Sequence, residues 1–377
     1  MSRPECAPGC GARPSPTRQA RPATAGADSE NRAVGLFSAR PSPGYRASVE
    51  TQTDVLGAPY ERRRIVLPPD DEGEVEATLV CLRAAAPTRR AVLYLHGYVD
   101  YFFQTHLAEF FTSLGYDFYA LDLRKYGRSL LEHQTPNFCT DLAEYYPEID
   151  EAVRIIREEQ GHDTLLINGH STGGLIAALY AHRVRGRNLV QGLFLNSPFF
   201  DFYEPWIKRR GFAPVVRLLG RLAPKSGIGE ELGTLYGRTI HADYGGEWHY
   251  DLRWKPLNGF KIHAGWVRAV SLAHRQVRRG LAIDVPVLIA CSTRSYKGKL
   301  SEAAYHADTV LNVADMIRYG PRLGPHVTLL QIEGGLHDLT LSAPAVRQTL
   351  FDEVRRWLTA QPGLGVDDAP ETADARR

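Results

Sequence analysis

The 377 residues, 44% hydrophobic and 23% charged, can bury a large core and have the balance of a soluble globular protein. A formal net charge of +2 gives no case for nucleic acid or an acidic partner, and no apolar run approaches the roughly 20 residues of a membrane span. Five cysteines do not make a disulfide framework; Cys6 and Cys10 lack the second pair of a metal site, and Cys81 and Cys291 read as buried strand thiols, so the cytoplasm is the expected compartment.

Residues 1–50 are rich in Arg, Pro, Ala, Gly and Ser without apolar periodicity and read as a disordered tail. They lack the apolar stretch of a secretory signal. Tyr60 to Leu67 and Glu74 to Leu82 predict an opening pair of strands. Ala91 to Leu95 is then a buried strand, and Leu107, Phe110, Phe111 and Leu114 mark one face of the helix after it. Tyr116 to Leu121 predicts another strand, followed by a helical stretch ending near Gln160. Strands at Val190 to Leu195 and Val285 to Ala290, a last buried strand at His326 to Ile332, and a closing helix on Val346, Leu350, Val354 and Trp357 complete the alternation. Such alternation implies a mostly parallel sheet covered on both faces.

The chemistry is concentrated in Gly169-His170-Ser171-Thr172-Gly173, entered from Leu165-Leu166-Ile167 and left through Leu175 to Leu179. Strand, sharp turn and helix are what a nucleophile elbow requires, because the flanking glycines allow the strained turn that lifts the hydroxyl above the sheet. A serine hydroxyl needs a base, and His337 follows Glu333-Gly334-Gly335-Leu336 in a loop at the end of the last strand. From Phe199 to about Ile283 the alternation stops; aromatics and bases dominate, and the segment reads as a cap over the pocket. Within it His241, Asp243, His249 and Asp251 fit no metal site and read as solvated loop residues. Lys208-Arg209-Arg210 with Arg217 and Arg221 could give transient contact with anionic lipid, although an ordinary solvated face fits better. The expected organisation is a core over 51–198 and 284–360, a cap over 199–283, and a flexible tail over 361–377.

Residues 60–360 resemble the α/β-hydrolases of the monoacylglycerol lipase and lysophospholipase-like group, also described as serine aminopeptidase-like. Four motifs carry the likeness: Leu95-His96-Gly97-Tyr98, the run Asp122 to Ser129, the Gly-His-Ser-Thr-Gly-Gly elbow and the terminal Gly-Gly-Leu-His-Asp. The resemblance implies an α/β-hydrolase fold with an inserted cap. In the second motif Lys125 and Tyr126 replace the usual Gly and His, so that loop is assigned support, with Asp122 bracing it and His96 structural. The oxyanion donors would be the backbone N–H groups of Tyr98 and Thr172.

The family's acid loop has no carboxylate at Cys291 to Ser295; Ala307 to Val313 looks like that loop displaced by an insertion over Tyr296 to His306. Asp308 is therefore the expected acid, ahead of Asp315 and Glu302, with Asp338 pointing elsewhere. Tyr98, Tyr101, Phe102, Phe199, Phe200, Phe202 and Tyr203 are the candidate substrate lining. The reading is a serine esterase acting on apolar acyl esters of the monoacylglycerol or lysophospholipid kind, with no cofactor and no metal, the oligomeric state left open. An aminopeptidase using Glu204, Glu230, Glu231 or Glu247, or a catalytically silent binding protein, remains open.

Overall fold

Alternation with period two sends Ala91, Leu93 and Leu95 to one side of a strand and Val92 and Tyr94 to the other; all five are buried, and the two sets belong to separate cores. A strand buried on both faces belongs to the middle of a covered parallel sheet. The computed structural model describes residues 46–47, 51–203, 215, 218–228 and 233–365, and the following account concerns these.

Ten strands form one sheet: β1 (Arg46–Ala47), β2 (Gln52–Thr53), β3 (Glu61–Asp70), β4 (Gly73–Leu82), β5 (Arg90–Leu95), β6 (Asp117–Asp122), β7 (Thr164–His170), β8 (Gly192–Asn196), β9 (Val287–Ser292) and β10 (Val327–Ile332). Their order is β1-β3-β4-β6-β5-β7-β8-β9-β10, with β2 also on β3. Neighbours from β6 through β10 run parallel, and the pairs on the β1 to β4 side are antiparallel. One core packs α2 (Tyr146–Arg154) and α3 (Thr172–Val184) on the sheet; the other packs α1 (Thr105–Ser113) and the closing helix Pro344–Ala360. This is the α/β-hydrolase fold, and the carboxyl ends of β5, β7, β8, β9 and β10 meet at one edge, where open parallel sheets place their ligands.

Four local expectations change. The last strand, β10, is not buried: it has one strand neighbour, β9, and exposes Thr328, Leu329 and Gln331 to solvent. Order begins before residue 51, because Arg46–Ala47 pairs with Ile65 and Val66. Order also extends past 360, because Leu364 is fully buried in the second core and its carbonyl accepts from the Tyr116 hydroxyl. Finally, the segment 199–283 contains a regular helix, Ala264–Arg279, whose buried Trp266, Ala269, Val270, Ala273 and Val277 share the core with α3. Its basic outer face disguised an ordinary amphipathic period. The end of the segment 199–283 therefore packs with the core. The rest of residues 1–50, Lys208-Arg209-Arg210 and Arg217 lie outside the described residues.

Candidate active site

Ser171 sits between the end of β7 and the first residue of α3 with φ 53° and ψ −115°, a conformation costing a non-glycine residue roughly 1–3 kcal/mol. The surroundings enforce it: Ser171 N–H donates to the Asn196 carbonyl at 3.0 Å, and Leu175 and Phe199 donate to the Ser171 carbonyl at 3.2 and 3.0 Å. The glycines are needed for close approach. A Cβ at Gly169 would stand 2.6 Å from the Gly173 carbonyl oxygen, and one at Gly173 would stand 2.2 Å from that of Leu95. Both obstacles are backbone and cannot rotate away. Gly173→Ala is therefore expected to destabilise by about 3 kcal/mol or to prevent folding, read as a lowered melting temperature or lost soluble yield.

His337 Nε2 lies 3.0 Å from Ser171 Oγ, and His337 Nδ1 lies 2.9 Å from Asp308 Oδ2. The other carboxylate oxygen of Asp308 accepts from Val310 N–H and Leu311 N–H, each at 2.8 Å, so the side chain is fixed from both ends. Asp308 itself pairs with the chain leaving β9: its N–H donates to the Arg294 carbonyl at 3.0 Å, and its carbonyl accepts from Tyr296 N–H at 2.8 Å. The residues between Tyr296 and Asp308 thus loop out and return Asp308 to the strand end. The other carboxylates lie elsewhere. Asp315 accepts from the Asn312 amide at the start of the helix Val313–Tyr319, Glu302 is exposed beside His306, and Asp338 accepts from Asn196, Gln104 and Thr340.

The turn after β5 runs against Ser171. A Cβ on Gly97 would come within 3.2 Å of Ser171 Cβ. His96 Nδ1 lies 2.8 Å from the Gly97 carbonyl while its Nε2 accepts from Leu123 N–H at 3.0 Å; burial lowers its pKa, so a neutral ring donating from Nδ1 ties the two loops together. Val99, a β-branched residue, is held at φ 51°, strain of the same order as at Ser171. Asp122 braces this turn by accepting from Phe102 N–H and Arg128 N–H at 2.9 and 3.0 Å and from the Arg128 guanidinium at 2.8 Å. Lys125 is buried and ion-paired with Asp70 and Glu72.

A polar corner adjoins His337. Asp100 Oδ1 accepts from Lys255 Nζ at 2.7 Å, Asp100 Oδ2 lies 3.2 Å from His170 Nδ1, and the His170 and His337 ring centres are 5.0 Å apart. Burial pushes the Asp100 carboxyl up, but the Lys255 ammonium and His170 outweigh it and leave Asp100 well below the usual carboxylate range. Among the described residues Asp100, His170 and Asp338 are the group whose donor atoms, within 4.8 Å of one another, could hold a metal. The Lys255 ammonium already brings positive charge to that corner. The segment that supplies it lies over the site: Tyr236 stands edge-on to His337 at 5.5 Å, Trp248 Nε1–H donates to the Leu341 carbonyl at 2.9 Å, and Asp251 N–H donates to the Tyr101 hydroxyl at 2.7 Å.

A profile of the family described as serine aminopeptidase, S33, matches residues 86–296, more than half of the chain. The chain belongs to that family. It is similar to a monoacylglycerol lipase of Mycolicibacterium smegmatis, 25% identical over 280 residues that make up 72% of this chain and 89% of the relative. Among solved structures, a soluble variant of monoglyceride lipase from Saccharomyces cerevisiae superposes with a TM-score of 0.56 at 17% identity, covering 78% of this chain and 93% of that one. The monoacylglycerol lipase of Paleococcus ferrophilus gives 0.55 at 20% identity over 74% and 97%. Family and fold make the protein an α/β-hydrolase of the serine type.

Within this family member the expected lining divides. Phe102 is fully buried against Tyr60, Tyr94 and Phe118 in the core beneath α1, so it is withdrawn from the lining. Phe200 is likewise buried in the first core. Phe199 remains beside Ser171 through its backbone, with its ring near Trp266, Phe202 and His274, and Tyr98 lies tilted against Trp266 with ring centres 4.0 Å apart. Tyr101 is buried under Trp254, and the ring of Tyr203 carries the Lys297 ammonium at 4.0 Å. Composition marks this region as aromatic but does not tell a wall from a core. His241 is buried against Tyr250 rather than solvated, and its Nδ1 accepts from Asp243 N–H. Sequence reading overlooked Asp100, Lys255 and Tyr236, which no local motif marks.

Proposed function

We propose that the protein is a serine esterase of apolar acyl groups. The observation that carries this reading is the hydrogen-bonded chain from Ser171 Oγ through His337 to Asp308 at the edge where the sheet opens. Ser171 Oγ attacks the ester carbonyl carbon as His337 Nε2 takes the hydroxyl proton; Asp308 orients the ring and balances the charge that it gains. The oxyanion is received by the N–H groups of Tyr98 and Thr172, the latter the first residue of α3, whose leading N–H groups lack intrahelical acceptors. Collapse breaks the bond to the leaving alkoxide, which takes the proton from His337 and departs as the alcohol. Water then attacks the acyl-enzyme, giving its proton to His337, and collapse releases the carboxylic acid while Ser171 regains its proton.

The ester preference is supported by the likeness to the M. smegmatis monoacylglycerol lipase and by the aromatic surroundings formed by Tyr98, Phe199, Phe202 and Trp266. Aminopeptidase action is disfavoured by pairing: a substrate ammonium needs a carboxylate, but Glu247 is bound to Arg347 at 2.7 Å and Asp100 to Lys255. Glu204, Glu230 and Glu231 lie outside the described residues. Among the described residues no helix is long and apolar enough to cross a membrane. Turnover of p-nitrophenyl esters from two to sixteen carbons should exceed that of aminoacyl p-nitroanilides by on the order of 10³-fold or more. Comparable turnover of the anilides would replace the ester reading with a peptidase one.

A further inference from the structure

The turn that would supply the second oxyanion donor is held by a group outside the core. Tyr98 is followed by Val99 in the left-handed region and by Asp100, whose buried carboxylate needs a counter-charge. The core offers His170 at 3.2 Å, yet the closest cation is Lys255 at 2.7 Å, separated by 155 residues and itself buried. Lys255 ends a short turn starting at Asp251, closed by its own N–H donating to the Asp251 carbonyl at 2.9 Å. The same turn donates Asp251 N–H to the Tyr101 hydroxyl at 2.7 Å and sets Trp254 edge-on to the Tyr101 ring at 5.1 Å. Residues 251–255 therefore clamp two successive residues, Asp100 and Tyr101, of the turn that begins at Tyr98.

We infer that Lys255 is a positioning residue for acyl transfer: its ammonium, docked on Asp100, holds the strained 98–101 turn so that Tyr98 N–H faces the developing oxyanion. A backbone conformation of this kind persists only where its surroundings over-determine it. His96 and Asp122 fix the two ends of the turn from the core, and Lys255 fixes its middle from the covering segment. The consequence is that the covering segment assembles part of the reaction centre as well as shaping the pocket above it.

This rests on the oxyanion assignment above and is tested with the full-length protein on p-nitrophenyl acetate, an ester too small to need the cover for binding. Lys255→Met should lower kcat by about 10²-fold, the scale of losing one oxyanion donor, with KM within about threefold of the parent. Asp100→Asn should lower kcat to a similar degree, the double variant should be little worse than either single one, and Lys255→Arg should recover most of the loss. The rate of phosphonylation by a fluorophosphonate should fall in parallel. If Lys255 only anchored the cover, acetate kcat would be unchanged and KM for a dodecanoyl ester would rise; that result overturns the inference. Should Lys255→Met fail to fold, Asp100→Asn retaining full kcat on acetate overturns it equally. Failure of the parent reading is distinguishable, because it would appear as ester turnover surviving in Ser171→Ala.

Discussion

Ser171→Ala is expected to lose turnover of p-nitrophenyl esters by on the order of 10⁶-fold, as removal of the nucleophile does in a serine protease, while remaining folded. The elbow does not depend on the hydroxyl. Its shape is set by backbone hydrogen bonds from Ser171 to Asn196 and from Leu175 and Phe199 to Ser171, and by the close approach at Gly169 and Gly173. The hydroxyl hydrogen bonds to His337, so its loss should move the melting temperature little. Circular dichroism and a stopped assay on the same preparation check both halves of this expectation.

Asp308→Asn should lower turnover by on the order of 10³ to 10⁴, because an amide at this position can donate to the ring and favour the wrong imidazole tautomer. The substitution is nearly isosteric. Its effect on stability should be limited to the weaker acceptance of the Val310 and Leu311 N–H bonds. Asp315→Asn should stay close to the parent, since its carboxylate sits on the helix Val313–Tyr319 and accepts from the Asn312 amide that precedes it, while Asp308 faces His337. A pH-independent steady-state assay near neutrality compares the two; reversed effects would reassign the acid.

The meeting of Ser171 with His337 was legible because each is flanked by a pattern with a mechanical meaning, a strand and glycine before it and a helix or loop after it. The contact of Asp308 with His337 was expected from the likeness of Ala307 to Val313 to the family's acid loop, although the looped-out Tyr296 to His306 conceals the usual spacing. The central strands were legible for the same reason, a short apolar run between turn signals. The edge position of β10 was not, because an apolar strand has the same local sequence whether it has one neighbour or two. The helix Ala264–Arg279 was hidden by its basic face, and the lining by the fact that Phe102 and Phe199 are chemically alike while only one lies beside Ser171. The contact of Lys255 with Asp100 spans 155 residues, and no periodicity connects such partners. Long-range pairing of single charges is a property of the packed chain.

The central claim is that Ser171 is the nucleophile activated by His337, and peptide mapping after reaction with a fluorophosphonate tests it most directly. The account predicts one phosphonyl adduct per chain, located on Ser171, blocked by prior incubation with a slowly turned-over ester and strongly slowed in His337→Ala. An adduct on another residue that accounts for the loss of ester hydrolysis, or continued hydrolysis by protein fully modified at Ser171, would contradict it.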